Sequence, residues 1–487
     1  MKRLRYICLT MLFIMLVLHF NAWAEELYVG KEKGYSSLTA AVAAATPGDV
    51  IHVSPGIYAE PFEIYPIEIN RPITLIGEPG AVLKGSPLKA LLRVNSPDVS
   101  IRGLEFHLLR YGIVNTGDRL SLLDCRFVLS DAAYRVSSSG VWLAGVSNCT
   151  IATCDFFGCG VCIAGPPLSE QSQGQPVLTG LFEVGEDPAF FTSHTLRDNR
   201  VNGKPLYYFA NEANRIVPMD AGGVIAACCE NIEVAGIDVS DNSIGIQLAY
   251  CSNAQVIGVT ADRCGVFGIY LAHNHDGRVK NIVCRECNHG IDIRATQNMF
   301  VTGCTTSSCE QGIFLSFATD CIVDDCSLLY CGVGFFIAGG ARNQLSGSWV
   351  EGNENGIYIQ GEKDMLVCGN VISGNSVAGL RFLRSSGQVI DNSFRGNQVG
   401  VLAVEANPLT LWNNAFSTSS SAGLYLRDIT SGKISFNTFD SAGKAAMELD
   451  GTLFDTLILE NLFRGGRNHI VNRSDGRVAL DMNNWEE

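Results

Sequence analysis

The sequence predicts an all-β chain built as a single parallel β-helix, with coils of about 22 residues, an N-terminal helical cap and one insertion. Three observations predict it. A glycine followed by an apolar residue recurs at Gly245, Gly268, Gly290, Gly312, Gly334, Gly356, Gly379, Gly400 and Gly423, and Ala445 takes the tenth place, at steps of 21 to 23 residues. Apolar residues alternate in the short run after each glycine, as in Ile269 and Leu271, Ile291 and Ile293, Ile313 and Leu315, Ile357 and Ile359, and alternation with period two means strands. Glycine is frequent (51 residues) and proline scarce (15), which fits many tight turns inside an ordered fold.

The elements follow in chain order. Lys2, Arg3 and Arg5 precede an apolar run from Tyr6 to Phe20, and Ala22-Trp23-Ala24 fits the small-x-small cleavage rule. The run is short for a membrane span. Residues 1–24 therefore read as a secretory signal, and the remainder as an exported chain with no further membrane span. Residues 25–164 read as the cap and first coils. Tyr35 to Thr46 is alanine-rich and helix-friendly, and a solenoid end needs a cap. Gly48 to Val53 starts a strand, and Gly112-Ile113, Gly140-Val141, Cys125-Arg126-Phe127 and Cys154-Asp155-Phe156 repeat the later coil pattern loosely. Residues 165–220 break the rhythm with Gly165-Pro166-Pro167 and a polar run, and read as an insertion or irregular coils. Residues 221–487 read as the regular coils and C-terminal end.

Within a regular coil, the eleventh place after the glycine is aliphatic (Val256, Val279, Val301, Val323), and an Asn-x-Phe signature closes several units, as in Asn392-Ser393-Phe394 and Asn414-Ala415-Phe416. Such a unit is too short for the helical pairs of longer repeats and lacks a leucine-rich signature. It suits one turn of a parallel solenoid with a single narrow core.

Composition excludes some functions. Lysine plus arginine number 35 and aspartate plus glutamate 49, for a formal charge of −14. Phosphate binding needs a basic face, so nucleic acid is not an expected partner, and adhesion to an anionic membrane fits poorly.

Two resemblances carry more. The opening SSLTAAVAAATPGDVIHVSPGIYAEP resembles the first coil of the pectin-lyase-like superfamily of right-handed β-helices. It also resembles pectin methylesterases, whose downstream catalytic motifs are absent here. Asn202-Gly203-Lys204-Pro205-Leu206-Tyr207-Tyr208, Asp220-Ala221-Gly222 and Ile244-Gly245-Ile246-Gln247-Leu248 resemble NosD-like proteins, exported members of the carbohydrate-binding and sugar-hydrolysis repeat class. The resemblance implies a right-handed helix and an extracytoplasmic accessory role, with copper delivery suggested by the family. The fold hosts hydrolases, lyases, epimerases and non-enzymes, so it leaves activity open.

Eighteen cysteines in an exported chain invite disulfides. The spacing argues otherwise. Cys304, Cys326, Ser348, Asn370, Asn392, Asn414 and Asn437 share one coil position, and Cys264, Cys287, Cys309 and Cys331 share another. Same-slot side chains on adjacent coils point in parallel, which suits a bridge badly, so buried free thiols are expected. The metal alternative is Cys284, Cys287 and His289, where Cys-x-x-Cys and imidazole suit copper or zinc. No cofactor is expected from the repeat itself; copper and calcium are left open.

The second place after each glycine should point outward. It holds Gln247, Tyr270, Asp292, Phe314, Phe336, Tyr358, Arg381, Leu402 and Tyr425, with Trp142 in an earlier coil. A file of rings at strand spacing can stack on sugar faces, and Arg294, Ser316, Gln360 and Arg427 two places on could bond hydroxyls or carboxylates. A polysaccharide or glycan is the expected partner of Trp142, Tyr270, Phe314, Phe336, Tyr358, Arg381 and Tyr425; cover by the insertion, a terminal segment or an envelope protein is the alternative. For catalysis, Asp292 is the lone acid of this face, which disfavours a two-carboxylate hydrolase. Asp292, Arg294, His273, His275 and His289 could supply the base, acid and cation of a uronate lyase or C5-epimerase. Phe267 to Asp276 with His289 to Arg294 resembles the alginate C5-epimerase motif, although the Asp-Pro-His-Asp of that family is not intact.

Overall fold

The computed structural model describes residues 24–85, 89–166, 187–440, 444–465 and 469–486; the expected signal up to residue 23 lies outside them. The chain is an all-β parallel β-helix. Glycine-led strands pair in parallel one coil apart, with Ile269 beside Ile291, Ile291 beside Ile313 and Ile313 beside Phe335. These residues are fully buried and form one continuous column of the core. The glycine itself is set by close approach: a Cβ on Gly290 would stand 2.6 Å from the carbonyl oxygen of Gly312, and one on Gly312 2.4 Å from that of Gly334. Any side chain there would push adjacent coils apart, which is why the repeat is punctuated by glycine.

Two further columns hold the turns. The Asn370 amide donates to Asn392 Oδ1 (3.0 Å), Asn392 to Asn414 Oδ1 (3.0 Å), and Asn414 to Asn437 Oδ1 (2.9 Å). Cys326 and Ser348 continue this ladder downward, as their spacing predicts. A second ladder runs Cys331, Asn353, Asn375, Asn397. Each rung satisfies buried backbone donors that no strand pairs. Rings stack beside them: Phe394, Phe416, Phe439 and Phe463 follow one another at centroid distances of 4.9, 4.6 and 5.1 Å.

The cap is the helix Leu38–Ala44, whose Ser37 side chain accepts from the Ala40 amide. The buried Glu63 carboxylate accepts from the Leu38 and Thr39 amides at 2.8 Å each, so the helix N-terminus is held by a negative charge.

The stack changes direction once. Three sheets run from Glu26 to Val201; the strand Arg200–Val201 then pairs antiparallel with Lys204–Ala210, and three new sheets run from there to Glu486. Of the irregular stretch 165–220, residues 167–186 lie outside the described residues. Thr195–Arg197 and Arg200–Val201 are ordinary coil strands, pairing with Thr150–Ala152 and Asp155–Phe156.

Candidate functional site

The direction change decides which part of the outer face is open. Tyr111, Trp142, Ala144 and Cys162 on the outside of the first stack share a buried apolar cluster with Ile244, Phe267, Tyr270 and Ala272 on the outside of the second. Gln247 closes the free edge of the strand Val161–Ala164, accepting from the Ile163 amide (3.3 Å) and donating to its carbonyl (2.5 Å). Trp142 and Tyr270, expected to touch sugar, are each 1% exposed. Their strands do point them away from the coil core, but the chain packs its own two stacks face to face there. Phe314 is buried as well. Alternation fixes a residue's face and says nothing about what lies on it.

The acid and cation of this face do meet. Asp292 Oδ1 accepts from Arg294 Nε (2.7 Å), and Asp292 Oδ2 accepts from Arg294 Nη2 (2.9 Å) and lies 2.6 Å from His289 Nδ1. Asp292 is completely buried. Burial pushes its carboxyl up, but the Arg294 charge and the bonds from His289 and Arg294 outweigh it and hold the group below its ordinary value. The guanidinium sits within 6 Å of the rings of Phe267, Tyr270 and Phe314, a cation–π cage. The remaining two candidates lie elsewhere on the coil: His273 stacks on Tyr250 at 4.6 Å, and His275 is exposed and paired with Asp276 (2.9 Å). The catalytic grouping of five is thus corrected to a buried trio in which Asp292 is bonded to both His289 and Arg294.

The grouping Cys284, Cys287 and His289 is corrected too. Cys284 and Cys287 point into the coil core, whereas His289 packs on the opposite face against Phe267 and Phe314. Cys287 belongs to its column: its sulfur accepts from the Cys264 amide and donates to the Ala261 carbonyl. All seventeen described cysteines are free thiols, fifteen of them buried.

Beyond Phe314 the face opens. Phe336, Tyr358, Arg381, Leu402 and Tyr425 occupy successive coils in register and are half-buried. Phe336 and Tyr358 stack at 4.9 Å and 14°. Arg381 Cζ lies 4.7 Å over the Tyr358 ring and has no carboxylate partner among the described residues. Tyr358 Oη donates to Gln360 (3.1 Å), and Tyr425 Oη donates to Asp450 (2.8 Å). At strand spacing, four steps from Phe336 to Tyr425 span roughly 19 Å.

The stacked parallel coils define a parallel β-helix protein. The chain belongs to the NosD family: the model described as "Periplasmic copper-binding protein (NosD)" matches residues 197–377 and 341–487. A family described as a protein of unknown function, DUF1565, matches residues 26–167. No curated protein sequence matches the chain. Solved structures with a similar path include the Azotobacter vinelandii mannuronan C-5 epimerase AlgE4 A-module, at 11% identity and TM-score 0.31, covering 89% of this chain and 91% of that one. The periplasmic alginate epimerase AlgG is similar at 11% identity and TM-score 0.26, covering 90% and 85%. Pectate lyase Pel9A is similar at 12% identity and TM-score 0.24, covering 69% and 80%.

The family description implies copper. The soft donors here do not fit it as a set: burial and neighbouring sulfurs raise the Cys284 and Cys287 thiols well above the ordinary range, whereas a sulfur ligand must ionise. Among the described residues no three His, Cys, Asp or Glu side chains converge as metal ligands. No helix among them is long and apolar enough to cross a membrane.

Proposed function

We propose that the chain is an extracytoplasmic β-helix protein that recognises an acidic polysaccharide along the open half of its glycine-led face, from Phe336 to Tyr425. One observation carries this reading: Phe336 and Tyr358 stack in file on an open strand face, with the Arg381 guanidinium laid over the second ring and unclaimed by any described carboxylate. Rings offer flat apolar platforms to sugar faces, and a guanidinium offers a fork to a uronate carboxylate. Lyase or epimerase chemistry at Asp292 is not supported, because the carboxylate is fully buried and bonded to Arg294 and His289. Family membership favours a second reading, an accessory protein of copper-site maturation. The buried thiols would give it a docking role for an envelope protein rather than a metal-carrying one.

A glycan array that includes uronate polymers tests the proposal. The mature chain should retain acidic glycans without forming unsaturated or epimerised sugars, and Tyr358→Ala should lose that retention. Retention unchanged in Tyr358→Ala contradicts it.

A further inference from the structure

A polar cleft borders the open rings. It is lined by Gly361, Glu362, Lys363, Arg384, Ser385 and Glu405, among others. These residues follow directly on the strands Asn355–Gln360, Ala378–Leu383 and Val399–Val404 that carry Tyr358, Arg381 and Leu402.

One of its residues is out of place as a structural group. Glu362 stands opposite Gly340 in the coil before it and beside Ser385 in the coil after it, and its side chain crosses the gap over Gly340 to reach Asn343. Its Oε1 accepts from the Asn343 amide (3.3 Å) and side chain (2.9 Å), and its own amide donates to Ser385 Oγ (3.1 Å). The carboxyl brings a second oxygen, Oε2, which is buried and has no hydrogen-bond partner. The residue as a whole is 1% exposed. Room for that oxygen depends on Gly340, where a Cβ would stand 2.9 Å from Oε2 and 2.2 Å from the Ala318 carbonyl. A buried carboxylate oxygen without a donor is costly, and a proton on it turns the cost into a donor seeking an acceptor.

The surrounding charges do not neutralise it. Arg342 is committed to Asp320 (2.6 Å), and Arg384 lies 3.4 Å from Glu405. Asp364 adds negative charge, and the Cys321 thiol is also near enough to feel the carboxyl. Lys363 makes no ion pair among the described residues. Burial, the first cause, with Asp364 behind it, outweighs the Asn343 bonds and Arg342 and moves the Glu362 carboxyl up to about 7.

We propose that this cleft is a sugar subsite continuous with the open rings, in which Lys363 and Arg384 take the carboxylate of an acidic sugar above the buried Glu362 carboxyl, whose ionisation weakens the hold. The inference rests on the ring-face reading and adds to it a pH switch within the binding surface.

Calorimetric titration of the full mature chain with hexameric oligomannuronate and, separately, oligogalacturonate tests it. Wild-type affinity should fall about tenfold from roughly pH 6 to roughly pH 8, as the acid gives up its proton. Glu362→Gln, which carries no charge at any pH, should bind within about twofold of the wild-type pH 6 affinity at both. Lys363→Ala, on the exposed rim, should weaken binding about threefold without a change in melting temperature. A pH dependence that persists in Glu362→Gln overturns the proposal, as does wild-type affinity in Lys363→Ala. If Tyr358→Ala weakens binding while Lys363→Ala does not, the ring face stands and this subsite falls. If the wild type binds neither oligomer, both fall.

Discussion

The guanidinium of Arg381 lies 4.7 Å above the ring of Tyr358, one coil before it, while the same column three coils before Tyr358 is occupied by the sealed carboxylate of Asp292. One structural position, repeated along a solenoid, is thus an internal ion network in one place and an open aromatic and cationic surface in another. The difference comes from what packs on it.

Tyr358→Ala and Arg381→Ala should each weaken acidic-glycan binding about five- to twentyfold, the size of a lost stacking or charge-assisted contact. The Arg381 effect should shrink as salt rises, because the charge is half-exposed. Titrations at low and high ionic strength check both.

Arg294→Met leaves the Asp292 carboxylate buried without its cation and should destabilise the fold by about 3–5 kcal/mol. Asp292→Asn with Arg294→Met should recover part of that loss. Denaturant unfolding of the single and double variants checks this; equal stability of Arg294→Met and wild type would mean that the trio is not sealed.

Gly312→Ala should destabilise by roughly 2 kcal/mol or more, since its Cβ would meet the Gly334 carbonyl at 2.4 Å. Gly258→Ala, where nothing lies within 4 Å but φ is +61°, should cost only about 1 kcal/mol. Paired unfolding curves separate close approach from backbone conformation.

Glu362 makes stability pH-dependent. Its carboxyl is raised from 4.5 to about 7 in the fold, so the folded state binds the proton more tightly than the unfolded one. The stabilisation is fully present below about pH 4.5 and is lost as pH rises through about 7. Relative to Glu362→Gln, the wild type should lose on the order of 1 kcal/mol across that window, allowing for solvent screening. Parallel melts from pH 4 to pH 8 measure it.

Among the seventeen described cysteines, thiol reagents should label at most Cys228 and Cys368 in the native protein, the two that are not buried. The fifteen others should react only on unfolding, because burial or a neighbouring sulfur keeps most of them protonated. A full titre under native conditions would contradict the column packing.

Much of this was legible in the sequence. The glycine spacing gives the coil register because a Cβ cannot fit there, and the Asn370 to Asn437 column gives the ladder because one amide satisfies two coils at once. The face of Trp142 and Tyr270 was legible, but not its cover. That cover comes from the antiparallel step at Arg200–Lys204, a two-residue event without a periodic signal, which folds the first stack's outer face against the second's. Cys284-x-x-Cys287 beside His289 looked like a ligand set because linear spacing ignores that His289 faces the other way. Glu362 was missed because its column holds Gly340 in the coil before and Ser385 in the coil after, so no residue type repeats there.

Hydroxyl-radical footprinting of the protein, with and without saturating oligouronate, tests the central claim most directly. The account predicts protection of Phe336, Tyr358 and Tyr425 on binding, with Trp142 and Tyr270 unreactive in both states. Protection centred on His275 and the turn above Asp292, with Tyr358 unchanged, would contradict it.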